Sequence, residues 1–389
     1  MIKILHTSDW HLGHTLYDFD RTEEQTSMLD QMVSIVKAEQ PDAVLVSGDV
    51  YHTAQPSASV QTLFSDTMVR MHDACPKTTI IVTAGNHDSG SRHEIFRTPW
   101  QALNVYTIGC LDREHPENHI ISLPGKGHII AMPYCYERLL PEGLFQQLID
   151  LASERNPNQL PIILMAHTTV NGCDFTGHKD ANERNVGGID SLSLDALGQG
   201  YDYLALGHIH HAQFVHSGRH NVRYSGTPVA VSFDEAYPHS VTMVEIDSHG
   251  ATPHTRTVDI VNPHPLVTLP AQGYASWDEA KQLLADFPDD IPAYIRLNVE
   301  TETFLPATAN ADALTLTKGK QCRFCYINAR RKDRARTDAK TLTVEEFKQE
   351  RPIDIARRYA EDKGIAFTDE MSQLFDQVLK MVEGDTSNK

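Results

Sequence analysis

The first hundred residues alternate between short apolar runs and stretches of helical periodicity. Residues 2–7, 43–47 and 79–83 are apolar and rich in β-branched side chains, a composition typical of strands buried on both faces. Residues 22–39 and 57–75 carry apolar side chains at helical spacing, so we expect two amphipathic helices there. This order of strand, helix, strand, helix, strand predicts a parallel-rich sheet with helices packed on its faces.

The pattern continues through the middle of the chain. Apolar runs predict buried strands at residues 128–133, 161–166 and 203–206, and helical spacing predicts a helix at 142–154. The apolar run at residues 241–246 predicts a further strand, and we expect it to be the last one of the first domain's sheet.

The last third of the chain has its own pattern. We predict a small β-α-β-α-β unit whose elements lie at residues 266–269, 276–287, 294–299, 306–314 and 323–329. A serine at the start of the first of these helices is a typical helix cap.

Two short amphipathic helices are expected after residue 340. Two such helices could bury little apolar surface alone, so we interpret them as a helical hairpin that docks on a partner. We therefore divide the chain into residues 1–262, a capping domain at 263–336, and a linker with C-terminal helices at 337–389.

Length and composition limit the class of protein. A chain of 389 residues is long enough for two or three domains, and 40% hydrophobic residues can build a sizeable core. It has no apolar run of the ~18 residues that cross a bilayer. The first residues lack the apolar stretch of a signal peptide, which favours the cytoplasm. The six cysteines are scattered, as in a reducing compartment. Cys322 and Cys325 form a lone C-x-x-C pair, which we interpret as structural because a zinc site needs a second pair.

The net charge is −18, from 34 basic and 52 acidic residues. This balance argues against nonspecific coating of nucleic acid but permits DNA binding through a local basic surface. Residues 318–336 offer such a surface, because they hold eight basic residues against one acid. The stretch is either a DNA or partner contact or a solvated strand edge. The candidate DNA-binding residues are Lys318, Lys320, Arg330 and Arg331.

Chemistry-bearing side chains follow the predicted strands at their carboxyl ends. His208 and His210 lie two residues apart after the strand at 203–206, so both rings can enter one pocket. Asp9 and His11 repeat this spacing after the first strand. The other candidates at strand ends are Asp49, Asn86, His87 and His167. Open α/β sheets place their sites at this edge, so we expect one shared site.

The ordered pattern D-x-H, G-D, G-N-H-D, H and G-H-x-H resembles the calcineurin-like metallophosphoesterase family over about residues 1–260. The resemblance implies an α/β fold, a four-layer α/β/β/α sandwich, with two metal ions bridged by Asp49. The remaining ligands it implies are Asp9, His11 and His210 for one metal and Asn86, His167 and His208 for the other.

The resemblance also implies roles beside the metals. His87 matches the family's non-ligand histidine, which stabilises the transition state or protonates the leaving oxygen. Asp88 could orient His87. His52 contacts substrate or is a solvated loop histidine, and we favour substrate contact. Mixed nitrogen and oxygen ligands suit manganese, which we expect, but also magnesium, iron or zinc.

Five longer stretches look like the SbcD family, the nuclease subunits of bacterial SbcCD complexes. They are residues 5–13, 48–52, 84–89, 205–210, and 224–228 together with 232–235. This resemblance implies 3′–5′ exonuclease cleavage of duplex ends and endonuclease cleavage of single-stranded or hairpin DNA in repair and recombination. It places the protein in the cytoplasm, at the nucleoid.

The same resemblance implies the partners. The ATPase SbcC would join this chain in a heterotetramer that contains two copies of both proteins. A homodimer would form through helices at about 57–75 and 91–105. Phe96, Trp100 and Leu103 suit such a surface, but they also suit the domain's own core.

Two other functions fit parts of the sequence. A small-molecule phosphoesterase, such as a nucleotidase or a cyclic-nucleotide phosphodiesterase, would use the same fold, but it does not readily explain the capping domain, the basic stretch and the C-terminal helices. A non-catalytic scaffold that tethers DNA ends would explain those features, yet scaffolds of this kind usually lose ligands and every expected ligand is present.

Overall fold

The structure is a computed structural model and describes residues 1–177, 191–216, 219–302 and 304–332. Six later positions are also described: 353, 357, 367, 368, 371 and 372. The chain forms two compact units, Met1–Arg331 and Lys332–Lys389. The predicted C-terminal helices lie in the second unit, outside the described residues apart from those single positions.

The strands of the first unit follow one another in three groups along the chain. The first group is β1 Ile2–Thr7, β2 Ala43–Ser47, β3 Thr79–Thr83, β4 Val105–Ile108, β5 Ile120–Leu123 and β6 Gly127–Ala131. The second is β7 Ile162–His167, β8 Thr169–Val170, β9 Ser191–Leu192, β10 Tyr203–Gly207, β11 Gln213–Phe214 and β12 Val222–Tyr224. The third is β13 Ser240–Ile246, β14 His254–Asp259, β15 Leu266–Leu269, β16 Tyr294–Thr301 and β17 Arg323–Arg331.

The helices alternate with these strands. They are α1 Thr22–Glu39, α2 Ala58–Ala74, α3 Gly90–Ile95, α4 Arg97–Gln101, α5 Leu144–Glu154, α6 Trp277–Ala285 and α7 Ala309–Leu316. Ser57 caps α2 by accepting a hydrogen bond from the backbone N–H of Val60. Ser276 and Glu279 form a reciprocal capping box at α6, where the sequence predicted a serine cap. Within the part of the chain that is described, no helix is both long and apolar enough to cross a membrane.

Two six-stranded sheets form the body of the first unit. Their strand orders are β14-β13-β1-β2-β3-β4 and β11-β12-β10-β7-β6-β5. In the first sheet β1 to β4 run parallel, and in the second so do β6, β7, β10 and β12. Antiparallel pairing adds β13 and β14 to the first sheet and β5 and β11 to the second.

The buried side chains show why the sheets form a four-layer sandwich. Ile4 and Leu45 point inward and pack in one cluster with Ile163 and Met165 of the second sheet. Side chains on the outer face of the first sheet pack on α1 and α2, and those of the second pack on α5. The predicted α/β/β/α class is therefore confirmed.

One prediction about this sheet is wrong. We expected the strand at 241–246 to be the last, but β14 continues the sheet by pairing antiparallel with β13 between Ser240 and Glu245. Four of the six side chains of β14 are exposed, so the strand carries no apolar run that the sequence could have revealed.

The predicted β-α-β-α-β pattern after residue 263 is confirmed. It forms a separate three-stranded parallel sheet in the order β15-β16-β17, with its own apolar cluster. Arg296 of this sheet contacts the body, because its Nη1 lies 3.1 Å from Asp234 Oδ1 and its Nη2 donates to the Phe233 carbonyl. The boundary that we placed at residue 262 remains a prediction, since both sides of it lie in one compact unit.

Candidate metal centre

The loops that follow β1, β2 and β10 carry strained residues at the same edge of the sandwich. Asp9, His11, Asp49 and His208 all have positive φ angles, of 54°, 45°, 52° and 95°. Side chains other than glycine rarely adopt this conformation, which costs of order 1–3 kcal/mol per residue. Such strain persists where surrounding contacts hold it and clusters at functional sites, so these four positions mark a candidate site.

Two glycines allow these loops to approach one another closely. A Cβ atom on Gly207 would lie 1.9 Å from the Ser47 carbonyl oxygen, and one on Gly85 would lie 2.0 Å from Asp49 Oδ1. Neither approach leaves room for a side chain. The glycines before His208 and Asn86 therefore bring the loops of both sheets onto Asp49.

The first group of converging side chains is Asp9, His11 and His210, whose ligand atoms lie within 4.8 Å of one another. The Nε2 atoms of the two histidines are 3.1 Å apart. The Asp9 carboxylate accepts hydrogen bonds from Ser8 Oγ and from the backbone N–H of His208. All three side chains are buried.

The second group is Asp49, His167 and His208, again within 4.8 Å. His167 Nε2 lies 3.3 Å from Asp49 Oδ2, and Asn86 Oδ1 lies 3.0 Å from both His167 Nε2 and His208 Nδ1. Asp49 Oδ2 is also 4.0 Å from His11 Nε2 in the first group. Asp49 Oδ2 is therefore near histidines of both groups, where the family resemblance implies a bridging carboxylate.

Two neighbouring groups that the sequence did not reveal, the Glu235 carboxylate and the Ser47 carbonyl, orient the histidine rings. Nδ1 of His210 donates to Glu235 Oε1 at 2.9 Å, and Nδ1 of His167 donates to the Ser47 carbonyl at 2.8 Å. In each ring Nε2 is then the nitrogen that faces the other candidate ligands. Glu235 is 25 residues from His210, so local spacing gave no signal of its role.

Burial and charge shift the pKa values of two of these groups. Burial raises the pKa of Asp9 to about 6, against the opposing effect of nearby histidines. Burial is the largest single influence on His167 and lowers its pKa, but the charge and hydrogen bond of Asp49, the charge of Asp9 and the bond to the Ser47 carbonyl together raise that pKa to about 9. A carboxylate destabilised by burial and a histidine held beside another carboxylate are groups that gain from a shared cation.

The donor set fits two divalent cations. Carboxylate oxygens, an amide oxygen and imidazole nitrogens are the ligands of manganese, iron and zinc sites. Each group supplies at least three such atoms around one point, and Asp49 reaches both. The arrangement can therefore hold two metal ions that share a carboxylate.

His87 lies beside the first group. Its ring centre is 4.9 Å from that of His11, and it stacks on His52 at 5.5 Å. Nδ1 of His87 donates to the His52 carbonyl oxygen at 2.9 Å, and its backbone N–H donates to Asp49 Oδ1. The structure thus brings both predicted catalytic histidines to the candidate site.

Asp88 has a different place from the one that we expected. Its carboxylate accepts hydrogen bonds from the backbone N–H groups of Val50, Tyr51 and Gly85 at 2.9–3.1 Å. His93 Nε2 lies 3.7 Å from Asp88 Oδ1. Backbone N–H groups occupy the Asp88 carboxylate. Asp88 therefore influences the position of His87 by holding the loop backbone in place rather than by orienting the His87 ring.

The four basic candidates lie around β17, away from these loops in the sequence. Lys320 Nζ donates to the Ala285 and Phe287 carbonyls and to Asp289, which gives it a structural role at the end of α6. Arg330 pairs with Glu300, and its guanidinium lies over the Tyr274 ring. Arg331 lies over the exposed Phe304, and Lys318 is in the turn after α7.

The residues proposed for dimerisation divide between core and surface. Trp100 and Leu103 pack against the cluster of apolar residues beneath α1 and α2, whereas Phe96 is 51% exposed. This arrangement leaves the dimer as a prediction.

The chain is similar to several known proteins. Residues 2–212 match the family model described as calcineurin-like phosphoesterase. A protein of Rhodobacter capsulatus, named as the SbcD component of the nuclease SbcCD, is 33% identical over 72% of this chain and 74% of its own. Proteins of the same name from Bacillus subtilis and Escherichia coli K12 are 30% and 28% identical, over 98% and 78% of this chain and 99% and 79% of theirs.

Proposed function

The chain belongs to the calcineurin-like phosphoesterase family and, within it, to the SbcD nucleases, and from this premise we propose how it acts on DNA. It is a metal-dependent phosphodiesterase. We propose that it removes nucleotides from duplex ends in the 3′–5′ direction and cuts single-stranded and hairpin DNA. The observation that carries the proposal is the position of Asp49 between two converging groups of ligands.

In this proposal Asp9, His11 and His210 hold one cation and Asn86, His167 and His208 the other, with Asp49 shared. Two divalent cations so held would supply Lewis acidity toward the phosphate and lower the pKa of a water molecule. Manganese is the metal that we propose, although the same ligands suit magnesium, iron or zinc.

The remaining residues position groups and move protons. Glu235 and the Ser47 carbonyl fix the His210 and His167 rings. Because the His52 carbonyl holds Nδ1 of His87, proton exchange with the leaving oxygen falls to Nε2 of that ring. Asp88 fixes the backbone on both sides of the site.

The partners follow from the names of the relatives, which describe one component of an SbcCD complex. We propose that the chain associates with an SbcC ATPase in a heterotetramer of two copies each, and that residues 337–389 make this contact. We also propose that residues 263–336 help to bind DNA and that the chain forms a homodimer. Sedimentation showing only monomer at micromolar concentration would contradict the dimer.

The test of activity uses the purified chain with manganese and three substrates. These are an end-labelled blunt duplex, a DNA hairpin and a generic phosphodiester dye. We expect cutting of DNA that far exceeds hydrolysis of the dye and that is lost in His87→Ala. Dye hydrolysis without DNA cleavage would contradict the proposal and favour a small-molecule phosphodiesterase. No turnover of any substrate, alone or with SbcC, would favour a scaffold.

A further inference from the structure

The loop after β6 carries aromatic side chains up to the candidate metal centre. Because β6 and β7 run parallel, this loop and His167 emerge at the same edge of the sandwich. The backbone N–H of Tyr134 donates to the Ala84 carbonyl at 2.8 Å, which ties the loop to the segment that precedes Asn86. The Tyr134 ring lies edge-on to His167, with 6.2 Å between the ring centres.

Tyr136 extends this aromatic surface outward. Its ring packs edge-on against Tyr134 at 5.3 Å, yet 51% of Tyr136 is exposed to solvent. Tyr136 and His208 line one cleft, together with Thr168 and Leu192. An exposed aromatic ring therefore shares a cleft with one of the ligands of the second candidate metal.

One arginine lies beside this ring and a second contacts the loop that carries it. The guanidinium carbon of Arg138 lies 5.4 Å from the centre of the Tyr136 ring. Nη2 of Arg113 donates to the Leu139 carbonyl at 2.7 Å, so its side chain lies across the same loop. Both arginines are exposed. The same cleft is also lined by one carboxylate, Glu137. In a chain of net charge −18, two arginines on the loop that carries an exposed ring are suited to a ligand that combines negative charge with a flat apolar face.

We propose that Tyr136, with Arg113 and Arg138, binds the DNA strand next to the scissile phosphate by stacking on an unpaired base. This inference rests on the proposed nuclease function and names the form of DNA that the cleft prefers. Aromatic rings stack on any base whose face is exposed, and arginines beside them contact the phosphates. Bases within a duplex are already stacked, so the surface favours single strands, hairpin loops and frayed ends.

The test measures DNA binding by the full chain in EDTA, which prevents turnover. Fluorescence anisotropy would compare a labelled single strand with a blunt duplex of the same sequence. We expect Tyr136→Ala to raise the Kd for the single strand about tenfold and to change the Kd for the duplex much less. Tyr136→Phe keeps the ring and is expected to recover most of the affinity.

The contribution of the arginines to DNA binding is tested by varying the salt concentration. We expect Arg138→Ala to lower the slope of log K against log salt for the single strand by about 0.7, because one phosphate contact is lost. Thermal unfolding of each variant would show that the fold is retained.

Several outcomes would overturn the inference. Tyr136→Ala that binds the single strand as tightly as the unmodified chain, or that loses single strand and duplex equally, contradicts a stacking site. Loss of affinity in Tyr136→Phe assigns the contact to the hydroxyl instead of the ring. Manganese-dependent cleavage by the unmodified chain separates the two proposals: if it cuts DNA and Tyr136→Ala binds normally, only this inference fails.

Discussion

Nδ1 of His210 donates a hydrogen bond to Glu235 Oε1 at 2.9 Å, so a buried carboxylate fixes which nitrogen of that ring faces Asp9 and His11. A carboxylate behind a ligating histidine fixes its orientation and makes its other nitrogen a better donor to metal. Glu235 also accepts the backbone N–H of Val231, which holds the carboxylate in place.

Glu235→Ala is expected to weaken metal binding at the first group by about 10–100-fold, because the His210 ring loses its partner. The measurement is the manganese concentration that gives half-maximal nuclease activity, supported by calorimetric titration of the metal. Glu235→Gln keeps an oxygen acceptor and serves as the matched control, with a smaller expected effect. Unchanged manganese dependence in Glu235→Ala would contradict this role.

Asp88→Asn is expected to lower both stability and kcat. Burial alone would raise the pKa of Asp88, but contacts with His93 and with backbone N–H groups hold it below its ordinary value, so the group is ionised. The amide of asparagine cannot accept hydrogen bonds on both sides, and a lost bond to a charged group costs about 1.5–3 kcal/mol. Urea unfolding and single-turnover cleavage measure the two effects.

The control for this substitution is Asp195→Asn, which changes an exposed carboxylate in a turn. We expect it to leave the free energy of unfolding within about 0.5 kcal/mol of the unmodified value. An Asp88→Asn variant as stable as the control would show that the backbone contacts of Asp88 contribute little.

The buried His6 side chain is expected to lower the free energy of unfolding in acid. Burial, with a smaller contribution from Arg223, lowers the pKa of His6 to about 3, while an unfolded histidine titrates near 6.5. Below pH 6.5 the unfolded chain therefore takes up a proton that the folded chain excludes. Stability is lost as the pH falls from about 6.5 toward 3, and His6 alone accounts for about 1.4 kcal/mol at pH 5.5.

Urea unfolding at pH 7.5 and pH 5.5 tests whether the free energy of unfolding decreases at the lower pH. His6→Gln removes the titrating group, so we expect the difference between the two pH values to shrink by about 1.4 kcal/mol. His254→Gln, which changes an exposed histidine on the edge strand β14, is the matched control. Equal pH dependence in His6→Gln and the unmodified chain would show that His6 does not titrate in this way.

Deletion of residues 340–389 is expected to abolish association with SbcC and to spare manganese-dependent cleavage. The reason is that every candidate ligand lies in the unit Met1–Arg331. The measurements are co-purification with SbcC and cleavage of a DNA hairpin by the truncated chain. Continued co-purification would place the SbcC contact elsewhere.

The sequence by itself determined the central strands, the longer helices and the identity of the candidate ligands. Apolar runs that are buried on both faces predicted the central strands, because few other structures place such runs between amphipathic helices. Strand ends then predicted Asp9, Asp49 and His208, since parallel strands of an α/β sheet open their sites at one edge. These signals depend only on residues that are neighbours in the chain, so the sequence alone reveals them.

Only the tertiary structure decided how these residues cooperate. Edge strand β14 is largely exposed and has no apolar pattern, so its pairing became visible only beside β13. Glu235 and His210 are distant in the chain and meet because the sandwich brings their loops together. Asp88 is beside His87 in sequence, yet its carboxylate is taken by backbone donors that include Val50 and Tyr51 of another loop. Contacts between distant segments depend on how the sheets pack, and no local spacing encodes that.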